Sequence, residues 1–563
     1  MNAAVLAVIG ITCLFVGYRF YSKFIAEKIY QLDPNYETPA HSMRDDIDYI
    51  PTKRIVLWGH HFTAVAGAAP IIGPGIAVIW GWLPAFIWVI VGTMFFAGVH
   101  DFGSVWASVR NQARSIGSLT GDVVSPRAST LFMIVIFLLL LMVNAVFAVT
   151  ISNALQATPS AVIPAWSAVF VAVIIGLVFF KLHVPITWPT IVGTVFLYVL
   201  IYVGELVPIE LPARALGLAP GAQWIVILFL YAAIASMLPL WLLLQPRGYI
   251  GGIQLFIGLG LLYGGVLIAH PPIVAPAFNP DVPASAPPMV PLLFVTIACG
   301  AISGFHGLVG SGTTSKQLNT EPDARFIGYL GSAGEGSLAL VAIIAATAGF
   351  ATLGDWQTMY SEYNGAGVAV AAFVEGGAQI ASNGLGLPLG FMQTLLAVML
   401  VLFAGTTMDT GVRLQRYIVQ EWGSIYNIAP LRNGHVATLV AVSCCLALAF
   451  GAGGADGTGG MIIWPLFGTT NQLLAGLILL VISVILVKLG RPARYTLIPM
   501  VFVTTMAFFS ALYELWHFYT DGNYLLVFID LLIVVAAVFV MLEASSAFMR
   551  ERRAAAATAA AAS

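Results

Sequence analysis

Long apolar runs of about twenty residues follow one another along this chain, and no other feature restricts its fold as much. A helix needs about twenty residues to cross roughly 30 Å of hydrocarbon, whereas the strands of a membrane barrel are half as long and alternate in polarity. The chain is 60% hydrophobic and only 9% charged, which leaves too little polar surface for a soluble protein of 563 residues. The sequence therefore predicts an all-α polytopic membrane protein embedded in the lipid bilayer.

The basic residues lie in alternate gaps between these runs, with Arg214 as the single exception among the 23 Lys and Arg. Cytoplasmic loops retain Lys and Arg, so the pattern predicts fifteen spans with the N-terminus outside and the C-terminus inside. The first run lacks a basic leader and a small-residue cleavage site, and we expect a retained span there. The predicted spans cover residues 3–20, 56–80, 83–103, 130–155, 161–180, 189–207, 224–245, 249–269, 291–312, 327–352, 390–411, 436–453, 460–487, 495–516 and 523–544.

The motifs give no support to several function classes. A P-loop and a dinucleotide-binding fingerprint are absent, and no spacing of Cys and His is typical of a metal site. The cysteines lie inside apolar runs, where small packing residues are commoner than disulfides or ligands. We therefore expect no cofactor, no resident metal, no nucleic-acid partner and no enzymatic activity. The sequence predicts no oligomeric state.

The second apolar run contains helix breakers near its middle. Proline removes a backbone donor and glycine lowers the cost of irregular backbone, so we expect a discontinuous helix around residues 67–75. Irregular backbone at this depth survives only where it is buried in protein or lines a wet cavity, and half-helix ends suit a substrate carboxylate and a cation. The candidate substrate-binding residues here are Gly67, Ala68, Ala69, Pro70 and Gly73.

Another mid-membrane proline, Pro239, lies five spans later, close to Ser236. Its run enters the membrane from the opposite side, so Pro70 and Pro239 lie at mirror-related depths, as an inverted repeat of five plus five helices requires. This arrangement places Ser236 and Pro239 across the substrate from the first break. Proline kinks without a repeat are the alternative, because they are common in membrane helices.

The ninth run is rich in small and polar residues. Ser303 and His306 share one helical face, which predicts substrate contact for Ser303 and either proton coupling or substrate contact for His306. A hydrogen-bonded structural histidine is the alternative for His306. The hydroxyl groups of Ser311, Thr313 and Thr314 keep Na⁺ open as the coupling ion in place of H⁺.

Glu335 lies eight residues into its predicted span, about 12 Å from the cytoplasmic end. A charge at such a depth costs about 3 kcal/mol on insertion scales and needs a reason. Glu335 is therefore the best candidate for carrying a proton. A static partner to a histidine or an arginine is the alternative.

Several further polar groups lie near the inner boundary. His60 and His61 begin the second span, and His100 and Asp101 end the third, so the four form either an inner vestibule or a set of capping residues. The spacing of Asp409, Arg413 and Arg416 predicts a local ion pair that acts as a gate or topology anchor. Asp530 stands alone in the last span, and the sequence assigns it no role.

Six ordered segments between about residues 49 and 500 resemble the carbon starvation (CstA) transporters. These segments are GHHF at 59–62 with GAAPIIGP at 67–74, HDF at 100–102, LLLQPR at 242–247, SGFH at 303–306 with SGTTSKQL at 311–318, TMDTG at 407–411 with RLQRY at 413–417, and WPLFGTTNQLL at 464–474. The last match alone is eleven residues long.

The resemblance implies a carrier of the cytoplasmic (inner) membrane that takes up peptides or pyruvate when carbon is scarce, with the pyruvate members acting as proton symporters. It also implies kinship with the ten-helix amino acid/polyamine/organocation transporters. The core would then be residues 56–411, preceded by one span and linker at 1–55 and followed by extra helices at 412–549 and a basic, Ala-rich tail at 550–563.

These observations together predict a secondary active transporter for a small carboxylate or a short peptide, driven by H⁺. In this interpretation His60, His61, His306, Glu335, Asp409 and Arg413 are the coupling or gating residues. The alternatives are a passive channel, a nutrient sensor that binds without transport and, with less support, an intramembrane metalloenzyme.

Overall fold

The chain folds into a helical membrane protein, as the apolar runs predict. The computed structural model describes residues 1–45, 48–182, 184, 187–215, 217–239, 241–363, 365–453 and 459–562. Within these ranges thirteen helices are long and apolar enough to cross a membrane, and a fourteenth span results if one bent pair of helices is counted as a span. The only β-type pairings in the same ranges are isolated bridges between loops.

The helices divide into long membrane helices and short segments at breaks and surface loops. Their bounds are α1 Ala3–Ile29, α2 Arg54–Ala66, α3 Ala69–Ala77, α4 Trp82–Arg110, α5 Ile116–Val123, α6 Pro126–Ala157, α7 Val162–Leu182, α8 Thr187–Leu206, α9 Pro220–Met237, α10 Leu244–Ala269, α11 Met289–Thr296, α12 Gly304–Val309, α13 Arg325–Ala348, α14 Leu353–Met359, α15 Gly365–Ala371, α16 Gly377–Leu385, α17 Leu389–Ile425, α18 Gly434–Gly451, α19 Gly459–Lys488, α20 Arg494–Thr520 and α21 Tyr524–Ala562.

Four helices form the interior of the protein. The central parts of α6, α13, α17 and α19 are almost fully enclosed, whereas α1, α8, α20 and α21 present much of their apolar surface outward. A helix that is apolar all round and enclosed by others is typical of the centre of a membrane bundle. Polar side chains on α13 and α19 are therefore surrounded by protein rather than by lipid.

Three of the fifteen predicted spans are not continuous helices, and one of them, 224–245, runs past the end of α9 at Met237. In the predicted span 56–80, α2 and α3 meet at an angle of 47°. The predicted span 291–312 consists of α11, a non-helical stretch at 297–303, and α12 extended by a turn of π-helix. The first break occurs where glycine and proline concentrate, which is the physical basis of its predicted discontinuity, and the second contains Gly300.

Two predicted boundaries fall inside helices. The proposed end of the transporter core at residue 411 lies within α17, which continues to Ile425. Arg247 was expected in a cytoplasmic loop but lies in the first turn of α10 and is 6% exposed. The charge pattern missed this burial because Arg247 has a buried acidic partner, Asp409, on α17.

Candidate functional site

The first break consists of two residues. Gly67 has φ 30° and ψ −164°, a conformation that a side chain disfavours, and α3 begins at Ala69. A β-carbon on Gly67 would lie 2.9 Å from Oγ1 of Thr407 on α17. The predicted discontinuity at 67–75 is therefore too long: Pro70 lies in the first turn of α3, where proline is tolerated, and Gly73 lies inside that helix.

The second break lies directly against the first. A β-carbon on Gly73 would collide with the carbonyl oxygen of Thr296, and one on Gly300 would lie 3.6 Å from Cα of Pro70. Gly300 has φ 92°, which only glycine adopts readily. The glycines thus bring the second break against the first turns of α3, just after the first break, and irregular backbone inside a bundle can serve a ligand through its N–H and C=O groups.

Ser303 lies at the end of the second break, and α19 holds it there. Its Oγ accepts a hydrogen bond from Nδ2 of Asn471 at 3.0 Å, and Oδ1 of Asn471 accepts one from the backbone N–H of Phe305 at 2.9 Å. Nδ2 of Asn471 also lies 3.3 Å from Sγ of Cys299. Asn471 therefore fixes both ends of the segment 299–305. It belongs to the eleven-residue segment at 464–474, but no sequence pattern places it at this break.

Asp101 is the centre of a buried hydrogen-bonded cluster beside the second break. Its Oδ1 accepts from Nδ1 of His100 at 2.7 Å, and its Oδ2 accepts from Nδ1 of His306 at 2.7 Å and from Oγ of Ser332 at 2.5 Å. Each of these side chains is at most 1% exposed. An ionised carboxylate only accepts hydrogen bonds, so both Nδ1 atoms carry the protons.

His306 has a carboxylate at each ring nitrogen. Its Nε2 lies 3.2 Å from Oε1 of Glu335, which is 1% exposed. With both acids ionised and His306 protonated, the formal charge of the three groups is −1, and one more proton on Glu335 brings it to zero. The arrangement is able to hold one exchangeable proton, and it also fits the alternative of a static Glu–His pair. We call Asp101, His306, Glu335, Ser332 and His100 the relay cluster.

The paired histidines of the second span have different surroundings. Nδ1 of His61 lies 2.8 Å from Oγ1 of Thr314, and His61 is fully buried. His60 is half-buried and faces α10 at Gly248. Only His61 therefore lies close to α12 and the relay cluster, so the predicted vestibule of four similar groups is not formed.

The second predicted half of the substrate site comprises Ser236 and Pro239. Ser236 donates to the carbonyl of Ala233 in its own helix and lies 3.4 Å from the hydroxyl of Thr438 on α18. Pro239 follows the end of α9 rather than interrupting a helix. The break that contacts Pro70 is the one at 297–303, and the position of Pro239 across the substrate stays a prediction.

Asp409 and Arg413 do not form the predicted ion pair with each other. Asp409 bonds instead to Arg247 on α10 and accepts from the hydroxyl of Tyr231 at 2.9 Å. Arg413 donates to the carbonyls of Ala235 and Leu238 at 3.1 and 2.7 Å and so caps the end of α9. Spacing along one helix favoured the local pair, but neighbouring helices supplied better partners for both groups.

The hydroxyl groups proposed for Na⁺ have separate protein partners. Ser311 donates to the carbonyl of Gly307 at 2.6 Å, Thr313 donates to that of Val309 at 2.9 Å, and Thr314 contacts His61. Hydroxyls that bond back to their own helix are not presented together to an ion. The sodium hypothesis therefore receives no support from this set.

Three groups at the relay cluster have donor atoms close enough to hold a metal ion. The ligand atoms of Cys299, His306 and Glu335 lie within 4.8 Å of one another. Cys299 was expected to be a packing residue, and its thiol is engaged by Ser303 and Asn471. Nε2 of His306 and Oε1 of Glu335 lie 3.2 Å apart and have no hydrogen-bond partner among the described residues.

The chain matches the family model described as carbon starvation protein CstA over residues 2–510. The chain belongs to the CstA family. Its relatives include the peptide transporter CstA of Campylobacter jejuni, which is 31% identical over 92% of this chain and 81% of the relative. The pyruvate/proton symporter BtsT of Escherichia coli is 30% identical over 87% of this chain and 78% of the relative.

A solved structure of MhsT with L-phenylalanine also aligns with this CstA-family chain. The alignment has a TM-score of 0.45 and 12% identity, and it covers 88% of this chain and 99% of MhsT. The five-plus-five inverted repeat stays a prediction of the sequence.

Proposed function

We propose that this protein is a secondary active transporter, not an enzyme, that takes up a small carboxylate or a short peptide together with protons. The CstA family supplies the two substrate classes, since its members bear the names peptide transporter and pyruvate/proton symporter. We place the protein in the cytoplasmic membrane with the N-terminus outside, as the distribution of Lys and Arg predicts.

The observation that carries the proposal is the position of His306 between two buried carboxylates. A proton added to Glu335 neutralises the three-group cluster, and its departure leaves a buried net charge that costs free energy in a low-dielectric interior. The closed transporter therefore favours the proton-loaded cluster. Release becomes favourable when water reaches Glu335 and solvates the charge.

We place the substrate carboxylate at the two breaks. Backbone N–H groups at irregular segments and half-helix ends attract anions, and the segments around Gly67 and Gly300 contact each other through α3. Ser303 and Asn471 connect this region to Cys299 and to α12, the helix of His306. Binding at the breaks and protonation of Glu335 would therefore act on the same short segment.

An anion carried with one proton moves no net charge when the substrate is a monocarboxylate. Uptake then avoids opposition from the membrane potential, which costs about 2.3 kcal/mol per elementary charge per 100 mV. Charge does not separate the two substrates, because a zwitterionic peptide with one proton carries a net positive charge, whose uptake an inside-negative potential favours.

The test is uptake of labelled pyruvate by proteoliposomes containing the purified protein, with an imposed inward proton gradient. We expect saturable accumulation that collapses when a protonophore dissipates the gradient. Excess unlabelled dipeptide distinguishes the substrates: inhibition assigns peptides to the same site. Non-saturable flux that only equilibrates the label would show that the protein is a passive channel. Binding without flux would show that it is a sensor.

A further inference from the structure

Two carboxylates lie inside the membrane region away from the relay cluster. Glu514 on α20 is 3% exposed and Asp530 on α21 is fully buried. Oε1 of Glu514 accepts a hydrogen bond from Oγ1 of Thr469 at 2.8 Å. Within the described part of the chain, Oε2 of Glu514 and both carboxylate oxygens of Asp530 have no hydrogen-bond partner. Asp530 is close enough to act electrostatically on Glu514.

The two acids lie at the same depth. α20 ends at Thr520 and α21 begins at Tyr524, so each acid is six residues from the connecting turn, or about 9 Å along its helix. The sequence places Asp530 alone in its span, because a residue on the preceding antiparallel helix is not a neighbour in the linear pattern. The pair is created by the packing of α20 against α21.

Neither acid has a cationic partner among the ion pairs of the described residues. Two unpaired buried charges are expensive, so the pair must be neutralised by protons or by a bound cation. The hydroxyl of Ser510 helps to distinguish these cases. Ser510 is fully buried, lacks a hydrogen-bond partner among the same residues, and lies one turn before Glu514 on the same helical face.

The number of unpartnered atoms favours a cation over a shared proton. Oγ of Ser510, Oε2 of Glu514 and the two oxygens of Asp530 are four buried oxygens without a hydrogen-bond partner among the described residues. A single shared proton links only two oxygens, whereas a metal ion binds several at once. The donor set contains oxygen alone, which suits hard cations, and two carboxylates balance the charge of a divalent ion.

A cavity of about 350 Å³ leads to Glu514 from the protein surface. Glu514 lines it together with His517 and Asp521, which are exposed and lie 3.3 Å apart at the end of α20. Its other walls come from α19 and from loop residues such as Ser285 and Tyr363. A cation approaching Glu514 would therefore pass an acidic group at the surface.

One helix connects this pair to the second break. Thr469, which donates to Glu514, is two residues from Asn471, which holds Ser303 and the N–H of Phe305. We propose that Glu514, Asp530 and Ser510 form a site for a hard divalent cation, Ca²⁺ foremost, that ties α20 and α21 to α19. The site is distinct from the relay cluster and does not depend on which substrate the protein carries.

The experiment measures thermal unfolding of the purified full-length protein in detergent after treatment with a chelator, titrated with Ca²⁺, Mg²⁺ or Na⁺. A cation that binds only the folded state raises the unfolding temperature with the logarithm of its concentration. We expect Ca²⁺ to raise it by several degrees, more than Mg²⁺, with Na⁺ ineffective at equal ionic strength. Equilibrium binding of radioactive Ca²⁺ should saturate near one ion per chain.

Charge-neutral variants identify the ligands. Glu514→Gln and Asp530→Asn should fold without added Ca²⁺ and lose the Ca²⁺-dependent shift, whereas Ser510→Ala should weaken it. Asp521→Asn removes an exposed acid from the same helix end and serves as the matched control that keeps the shift. Three results would each overturn the proposal. They are a wild-type unfolding temperature that Ca²⁺ does not change, an equal response to Na⁺, and a Ca²⁺-dependent shift that persists in Asp530→Asn.

Should either carboxylate variant fail to fold, Ser510→Ala and the binding stoichiometry of the wild type still decide the question. A stoichiometry of zero overturns the site. Wild-type stability that ignores Ca²⁺ and falls as the pH rises would assign shared protons to the pair instead.

Discussion

The relay cluster and the Arg247–Asp409 pair are both buried ionic groups, yet they are built from different chemistry. The relay cluster places an imidazole between Asp101 and Glu335, and an imidazole gains or loses a proton in the physiological pH range. The other pair joins a guanidinium to a carboxylate, with the hydroxyl of Tyr231 as a third member. A guanidinium stays charged under all ordinary conditions. The first arrangement is therefore suited to exchange of a proton, and the second only to fixing α10 against α17.

The largest effect on stability is expected from Asp409→Asn. This change leaves Arg247 buried without a counter-charge, which costs about 3–5 kcal/mol in measured cases. We expect a strong fall in the yield and unfolding temperature of the purified protein. The double variant Arg247→Gln with Asp409→Asn removes both charges and should recover much of the loss. If Asp409→Asn is as stable as the wild type, the Arg247–Asp409 pair does not fix α10 against α17, and its contrast with the relay cluster is lost.

The largest effect on transport is expected from Glu335→Gln. Glutamine keeps the shape of the side chain but cannot take up and release a proton, so gradient-driven accumulation should disappear while substrate exchange across the membrane persists. Glu375→Gln changes an exposed acid on a neighbouring segment and is the control. Wild-type accumulation in Glu335→Gln would remove Glu335 from the coupling mechanism and leave the static pair.

A smaller loss of stability is expected from Gly300→Ala. At φ 92° a β-carbon is strained, and it would also lie 2.7 Å from the side chain of Ala339 on α13. The left-handed conformation costs roughly 1–2 kcal/mol for a residue with a side chain. We expect a lower unfolding temperature and slower uptake. Gly260→Ala, on α10 with no neighbour near its β-position, controls for an added methyl group. Equal effects of the two changes would show that the second break tolerates side chains.

The smallest effect is expected from Ser332→Ala, which removes one of the three donors to Asp101. The loss of a single hydrogen bond costs about 0.5–1.5 kcal/mol. The protein should fold, with accumulation reduced and its dependence on pH displaced from that of the wild type. Ser337→Ala on the same helix, where the hydroxyl bonds only to its own backbone, should leave that dependence unchanged. An identical pH profile in Ser332→Ala would place Ser332 outside the relay.

Much of the membrane architecture follows from local sequence. Residues 67 and 68 break a helix because glycine and proline act on the backbone itself, so the first discontinuity is predictable even though its length is not. Ser303, His306 and Glu335 stand out because polar groups are rare in membrane helices. Their residue types marked them as candidates, and two of them indeed lie beside each other.

Partners across the bundle were not predictable in the same way. Asp101 looked like one member of a vestibule, but it lies between His100, His306 and Ser332. Arg247 looked like a loop cation because its position in the charge pattern matched a cytoplasmic gap. Asp530 looked isolated because Glu514, its neighbour, lies on another helix. In each case a neighbouring helix supplies the group that the linear pattern does not reveal.

Local sequence is enough to show that this protein is a helical membrane protein of the CstA family. It also identifies the polar side chains whose burial in the membrane must be compensated by a partner. Those properties depend on hydrophobicity, backbone chemistry and order along the chain. Tertiary packing was needed to place the segment 297–303 against Pro70 at the start of α3, and to pair Asp409 with Arg247 rather than Arg413. Helix packing makes these choices, because a buried charge bonds to whichever partner the neighbouring helices bring within reach.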